Sequence, residues 1–460
     1  MDQGVHNFVI SKMGRNDGPI REETKVSHCA STRISLGLVT AAILLASTAH
    51  DARAAAFQLK EDSAVNLGTA FAGSASAAQR PSTVFDNPAG LTQLEGLQIE
   101  GGGSLIAPSF VFHGTSTNAF GRPNSGVDGR DGGNQAPVPY GYISYKVTND
   151  LAVGLGLTSP FGLATTYGTN FIGRYQADKT ELKTLNINPS LAYQVLSWLS
   201  LGAGFSAQYG RAEFSSVLNS STIGTQALRR PVVLPDGYFR LRGDDWAFGY
   251  NFGALIQPGK ATNIGLAYRS RVEQNFTGTA DFVMPAPLSL NSAFRSSGGN
   301  AKLTLPDTAT ISITQGIGDK LKVSAEVSWT NWSQFKTLNA FRTDGTQLNS
   351  TPQHYHNTVF ASLGASYKVL DSLTLRAGTA FDKTPVSNAY RTVRVPDADR
   401  VWLAGGVSYE VLPGTAIDFA YAHLFVKDSR INEVSTTGDL LQGRFTNSVD
   451  IVSVGTRVKF

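Results

Sequence analysis

Four histidines follow residue 55, at His113, His354, His356 and His423, and the only cysteine is Cys29. Nucleophilic or metal chemistry would need such side chains, and their spacing supports neither. His354 and His356 stand two apart with no third ligand nearby, so they do not make a zinc site. No G-x-S-x-G elbow and no C-x-x-C pair occurs. Gly202-Ala203-Gly204-Phe205-Ser206-Ala207 has the glycines of a dinucleotide loop, but it runs on as alternating residues with no helix after it. No catalytic residue, metal site or cofactor is assigned, and the chain reads as a non-enzyme. What remains is binding, and the feature the residues themselves single out is a proline-glycine break at Pro160-Phe161-Gly162.

The elements that would position these groups are strands. Leu185, Ile187, Leu191, Tyr193 and Val195 alternate with Thr184, Asn186, Asn188, Ser190, Ala192 and Gln194, which gives one apolar and one small or polar face. Trp246, Phe248, Tyr250, Phe252, Ala254 and Ile256 do the same. Several runs match the ~9 to 11 residues that a tilted strand needs to cross a bilayer. Strands are expected near 97–112, 138–147, 151–161, 182–196, 198–213, 240–256, 262–273, 302–315, 321–334, 357–369, 372–382, 399–411, 415–426 and 447–460, fourteen in all. Their connections alternate between short turns, as at Asn149-Asp150 and Leu412-Pro413-Gly414, and long loops, as at 214–239 and 383–398. That is the pattern of an all-β, antiparallel transmembrane barrel of the outer membrane, with the short turns facing the periplasm. A soluble sandwich or propeller also gives many alternating strands. The strand lengths, and the small residues on the face opposite the apolar one, favour the barrel.

Composition agrees. Charged residues make up 16% and glycines number 47, while the net charge of +4 is spread without basic clusters, so nucleic acid is not an expected partner. Arg33 precedes the apolar run Ile34 to Ala46, and Ala52-Arg53-Ala54 offers a small-x-small cleavage site. Residues 1–54 therefore read as a lead-in and secretory signal that is removed. Residues 55–95, rich in Gly, Ala and Ser and without alternation, have too little apolar bulk for a core of their own. They are expected to form an N-terminal hatch in the lumen, with residues 96–460 as the wall. Within that wall, Pro160 and Gly162 either break the third strand or end it at the rim, because Pro cannot donate to the ladder and Gly marks a bend.

Several motifs, in order along residues 55–460, resemble the FadL family of outer-membrane long-chain fatty acid transporters. They are the start Ala55-Ala56-Phe57-Gln58-Leu59, Asn87-Pro88-Ala89, Gly162-Leu163-Ala164-Thr165, Trp332-Ser333-Gln334-Phe335, Ala380-Phe381-Asp382, Val395-Pro396-Asp397-Ala398-Asp399-Arg400 and Ile431-Asn432-Glu433. The resemblance implies a fourteen-stranded barrel with a hatch that carries fatty acids or, in some members, aromatic hydrocarbons. It implies that Phe57 points into the ligand pocket, that Asn87, Pro88 and Ala89 hold the hatch to the wall, and that Pro160, Phe161 and Gly162 form a lateral opening. The family meets its ligand's carboxylate with cations near the end of strand five and the start of strand ten. Here those positions look like Ser216 and His356, with His354 and Arg211 as substitutes, which makes a neutral or weakly acidic ligand plausible. The expected partners are a hydrophobic small molecule and the outer-membrane lipid and lipopolysaccharide around a monomeric barrel. A general porin and a barrel lipase or protease are the rival functions.

Overall fold

The computed structural model describes residues 56–460. The expected leader, 1–54, and Ala55 at the start of the expected hatch lie outside them. The wall consists of β1 (Leu97–Thr117), β2 (Ala136–Lys146), β3 (Leu151–Thr158 and Gly162–Thr166), β4 (Lys179–Leu196), β5 (Leu199–Leu218), β6 (Gly237–Gly259) and β7 (Thr262–Arg269 and Val272–Val283). It continues with β8 (Ser297–Leu305 and Thr308–Ile317), β9 (Leu321–Thr330 and Thr337–Arg342), β10 (Gln347–Pro352 and Thr358–Leu370), β11 (Leu373–Asp382), β12 (Arg400–Leu412), β13 (Thr415–Val426 and Ser429–Val434) and β14 (Leu440–Lys459). Each is antiparallel to its neighbours. The barrel closes by pairing β1 with β14 from Gln98↔Lys459 to Thr117↔Leu440. A closed sheet leaves no edge, so every wall strand can satisfy its backbone inside lipid.

The alternation seen in the sequence sorts side chains to the two faces. Leu191 is 53% exposed and Phe248 62%, with Phe205, Phe252, Ile311 and Leu403 also exposed, and together they form the apolar outer band. Ser190, Ser206, Asn188 and Asn251 face inward and are buried. Large exposed apolar side chains on a sheet with a polar inner face are what a lipid-facing wall requires.

Two of the expected long loops are different. Thr337–Arg342 and Gln347–Pro352 pair as a hairpin above β9 and β10, and Ser429–Val434 pairs with the start of β14. The strands outrun the alternating pattern because an apolar outer face is needed only within the bilayer. Beyond it the ladder continues without that alternation.

The lumen holds residues 56–95, with short helices α1 (Ala64–Gly68) and α2 (Thr83–Asp86) and a 3-10 turn at Pro88–Gln93. Ser63 caps α1 by accepting from Val65 N. The segment is fastened to many wall strands. Glu100 on β1 accepts from Ser63 Oγ at 3.1 Å and Ser82 N at 3.0 Å. Glu326 on β9 accepts from Ser74 Oγ at 2.8 Å, and Arg80 meets Asp418 on β13 at 2.7 Å. Arg269 on β7 donates to Phe85 O at 2.7 Å. These buried wall charges hold the hatch by charge-assisted hydrogen bonds, which are stronger than neutral ones.

Candidate functional site

The hatch meets the wall through one amide in particular. Asn87 Nδ2 donates to Ala75 O within the hatch at 2.7 Å and to Ala254 O on β6 at 3.0 Å, while its Oδ1 accepts from Ala89 N. Room for this comes from wall glycines: a Cβ on Gly253 would lie 1.9 Å from Asn87 Oδ1, and one on Gly202 would lie 2.4 Å from Ala89 N. Asn87 is fully buried, with Pro88 and Ala89 buried beside it.

At the start of the described chain, Phe57 enters an apolar cluster built from the wall and the loops above it. Its ring lies 4.7 Å from Trp332 and 5.8 Å from Phe335, both edge-on, and 6.4 Å from Phe161. Tyr355 packs on Phe335 at 5.0 Å and on Trp332 at 5.8 Å. Leu182, Val272, Phe276, Leu303, Leu305, Val386 and Val395 complete the cluster. Edge-to-face rings are the favoured aromatic arrangement, and the seat that Phe57 fills is the size of one phenyl group.

The same segment closes a gap in the wall. β2 and β3 pair only from Gly141↔Leu157 to Lys146↔Ala152. Above that level Ala136–Tyr140 pair with β1, while Gly162–Thr166 pair with β4. At the interruption Leu59 N donates to Pro160 O at 2.9 Å and Gly162 N to Phe57 O at 3.0 Å, so the hatch supplies the missing partner. Thr184 Oγ1 donates to Phe161 O at 2.7 Å and accepts from Phe161 N at 3.1 Å. Pro160 thus interrupts the strand within the wall and does not end it at the rim.

A second seam lies between β6 and β7. Their pairing runs up to Asn251↔Arg269 and resumes at Asp244↔Thr277. Between these points Asp245 Oδ2 accepts from Asn275 N at 2.7 Å. An outer-surface groove of about 780 Å³ there is lined by Trp246, Phe248, Tyr250, Tyr268 and Arg271 among others. In the loop mouth a separate cavity of about 990 Å³ is lined by Tyr175, Phe239, Phe282, Phe294, Arg295 and Arg342 among others.

Phe57 and Phe161 come together, with Pro160 and Gly162 at the adjoining gap. The polar candidates do not join them. Arg211 is exposed, whereas its neighbour Ala212 is in the cluster, because alternation turns successive side chains to opposite faces. His354 and His356 are both exposed and flank the buried Tyr355 in the irregular stretch between the two parts of β10. His354 stacks on Tyr390 at 4.6 Å instead. Ser216 is buried near the mouth cavity. The nearby buried cations are engaged elsewhere: Arg394 donates to Gln176 O and Thr180 Oγ1, and Arg400 meets Asp382 at 2.8 Å. Burial pushes the Glu61 carboxyl in the hatch up to about 6, against the pull of its own backbone hydrogen bond and of Arg400. Trp332, Phe335 and Tyr355 were missing from the expected site. The signal for Tyr355 was its place between two polar residues in a stretch otherwise polar throughout.

Residues 45–460 match the family described as outer membrane protein transport protein (OMPP1/FadL/TodX). Outer membrane protein P1 of Haemophilus influenzae is 33% identical over 435 residues, covering 88% of this chain and 93% of that protein. The long-chain fatty acid transport protein of Escherichia coli is 28% identical over 419 residues, covering 85% and 92%. Among solved structures, a Pseudomonas aeruginosa FadL homologue superposes with a TM-score of 0.84 at 26% identity, covering 88% of this chain and 100% of that one.

Proposed function

The chain belongs to the outer membrane protein transport protein family (OMPP1/FadL/TodX) and is an outer-membrane β-barrel, and from that premise we propose that it carries long-chain fatty acids inward. Ligand is captured in the loop-mouth cavity, passes to the apolar cluster around Phe57, and leaves sideways through the β2–β3 gap. The observation that carries this reading is the position of Phe57: one short segment both fills an apolar seat and hydrogen-bonds the interruption in β3. Displacing that segment would empty the seat and unzip the gap together.

The physical need is plain. An acyl chain of ~14 methylenes gains about 11 kcal/mol on leaving water at ~0.8 kcal/mol per CH₂. Its obstacle is therefore the charged lipopolysaccharide layer and not the membrane interior. A monomeric barrel with a side exit bypasses that layer. The family is described as one of transport proteins, so the proposal is a transporter and not an enzyme.

A second reading, uptake of aromatic hydrocarbons, is favoured by the phenyl-sized seat bounded by the edges of Trp332 and Phe335. Binding of labelled oleate and labelled toluene to the purified barrel, wild type and Phe57→Ala, tests both. Retained oleate that weakens several-fold in the variant, with the barrel still folded, supports fatty acid transport. Toluene retained without oleate selects the second reading, and equal affinity in the two proteins removes Phe57 from the site.

A further inference from the structure

Two hydrogen-bond donors inside the apolar cluster have no partner among the described residues. They are the Trp332 indole Nε1 and the Tyr355 hydroxyl, and both atoms are buried. Trp332 is fully buried and Tyr355 is 3% exposed. Their rings stand 5.8 Å apart, and each packs on a ring at the Phe57 seat, Trp332 on Phe57 itself and Tyr355 on Phe335, which borders it. A buried N–H or O–H left unpaired carries the full cost of its desolvation, and native interiors keep few of them. Two such groups side by side, in a cluster otherwise made of hydrocarbon, are a costly arrangement for packing alone. Phe in place of Tyr355 would have filled nearly the same space.

Arg394 and Arg400 spend their donors on Gln176, Thr180 and Asp382, Arg391 donates to Asp397 O and Arg430 O, and His354 and His356 face outward. A carboxylate drawn into this seat would be desolvated beside cations already engaged with other partners, whereas a hydroxyl, carbonyl or protonated carboxyl could accept from the two neutral donors.

Resting on the transport reading above, we propose that Trp332 and Tyr355 are specificity-determining residues that select hydrophobic ligands ending in one uncharged hydrogen-bond acceptor, a fatty alcohol or the protonated form of a fatty acid. The ligand's chain takes the seat of the Phe57 ring, and its polar end lies between the indole N–H and the phenol O–H. Discrimination then acts against plain hydrocarbons, which leave both donors unpaired, and against the carboxylate, which meets only cations already engaged. A site built to hydrogen-bond a ligand rejects the analogue lacking that group far better than an apolar pocket rejects an added one.

The test uses the purified full barrel with radiolabelled 1-dodecanol, dodecane and dodecanoate, the last at a pH well above and a pH near its own pKa. The wild type is expected to prefer dodecanol to dodecane, and to bind the acid more tightly at the lower pH. Tyr355→Phe, which removes one oxygen and keeps the ring, should narrow the dodecanol-to-dodecane ratio by roughly five- to tenfold, the worth of one buried neutral hydrogen bond. Trp332→Phe should narrow it in the same direction, so the conclusion does not hang on one variant folding. An unchanged ratio in Tyr355→Phe overturns the proposal. So does tightest binding of the fully ionised dodecanoate, which would assign recognition to a cation. Binding of none of the three probes to the wild type would instead overturn the transport reading, and this proposal with it.

Discussion

Asn87 shows how much one side chain can fix. Its amide serves a hatch carbonyl and a wall carbonyl at once, and its own oxygen caps the 3-10 turn that follows. Asn87→Ala would leave Ala75 O without this donor in a buried place, at a cost of about 1–3 kcal/mol for an unsatisfied group. The barrel's own ladder is untouched by that change. The expected outcome is a barrel that migrates as folded but shows a raised ion conductance in planar bilayers, since a loosened hatch opens the lumen. Conductance equal to wild type would mean that Glu100, Glu326 and Asp418 seat the hatch without Asn87. Nothing in the local sequence of Asn87-Pro88-Ala89 points to Ala254, which lies 167 residues away. Only the resemblance to a family marked it. The glycines that receive it, Gly202 and Gly253, read in the sequence as ordinary small residues of alternating strands.

Among the elements, β3 carries the proposed route. Its interruption is legible as Pro160 and Gly162, but the sequence left open whether the strand breaks or stops, because a proline is equally acceptable at both places. The resumption of pairing at Gly162↔Lys183 settles that it breaks. What no pattern could give is that the gap is filled by Phe57 to Leu59, from the hatch that precedes β1 in the chain. Gly162 illustrates the difference. A Cβ there would lie 2.8 Å from Leu59 Cδ1, so its constraint comes from the hatch and not from the tightness of a bend. Gly162→Val is therefore expected to push against Leu59 and disturb the closed gap, changing cell uptake of labelled oleate while binding to the purified barrel is retained. Phe248→Ala, at the β6–β7 seam, supplies the contrast and should leave uptake unchanged. The reverse result, with uptake altered by Phe248→Ala and not by Gly162→Val, would move the exit to that second seam.

For the molecule as a whole, stability rests on a closed ladder with an apolar band outside and a polar, hatch-filled lumen inside. Leu191 stands in that band, between the inward-facing Ser190 and Ala192. Leu191→Arg would put a charge into lipid at a cost of about 2–4 kcal/mol near mid-bilayer. Reversible unfolding in phospholipid vesicles should show that loss, and Ser190→Ala, inside, should not. A loss well under 1 kcal/mol for Leu191→Arg would place that level at the membrane boundary instead.

The division between sequence and tertiary structure follows from the range of the forces involved. Alternation, turn length and strand length are local, so fourteen wall strands and the direction each side chain faces within the bilayer could be read directly. Above the bilayer the alternation stops because no lipid demands it, and there the extended hairpins of β9 and β10 and of β13 and β14 passed for loops. The apolar cluster was hardest, for its walls are donated by the hatch, β3, the β9 interruption at Trp332 and the β10 interruption at Tyr355. Between the exposed His354 and His356 stands the buried Tyr355. Which of the three is buried could be decided only once the strands had closed on one another and Phe57 had been laid between them.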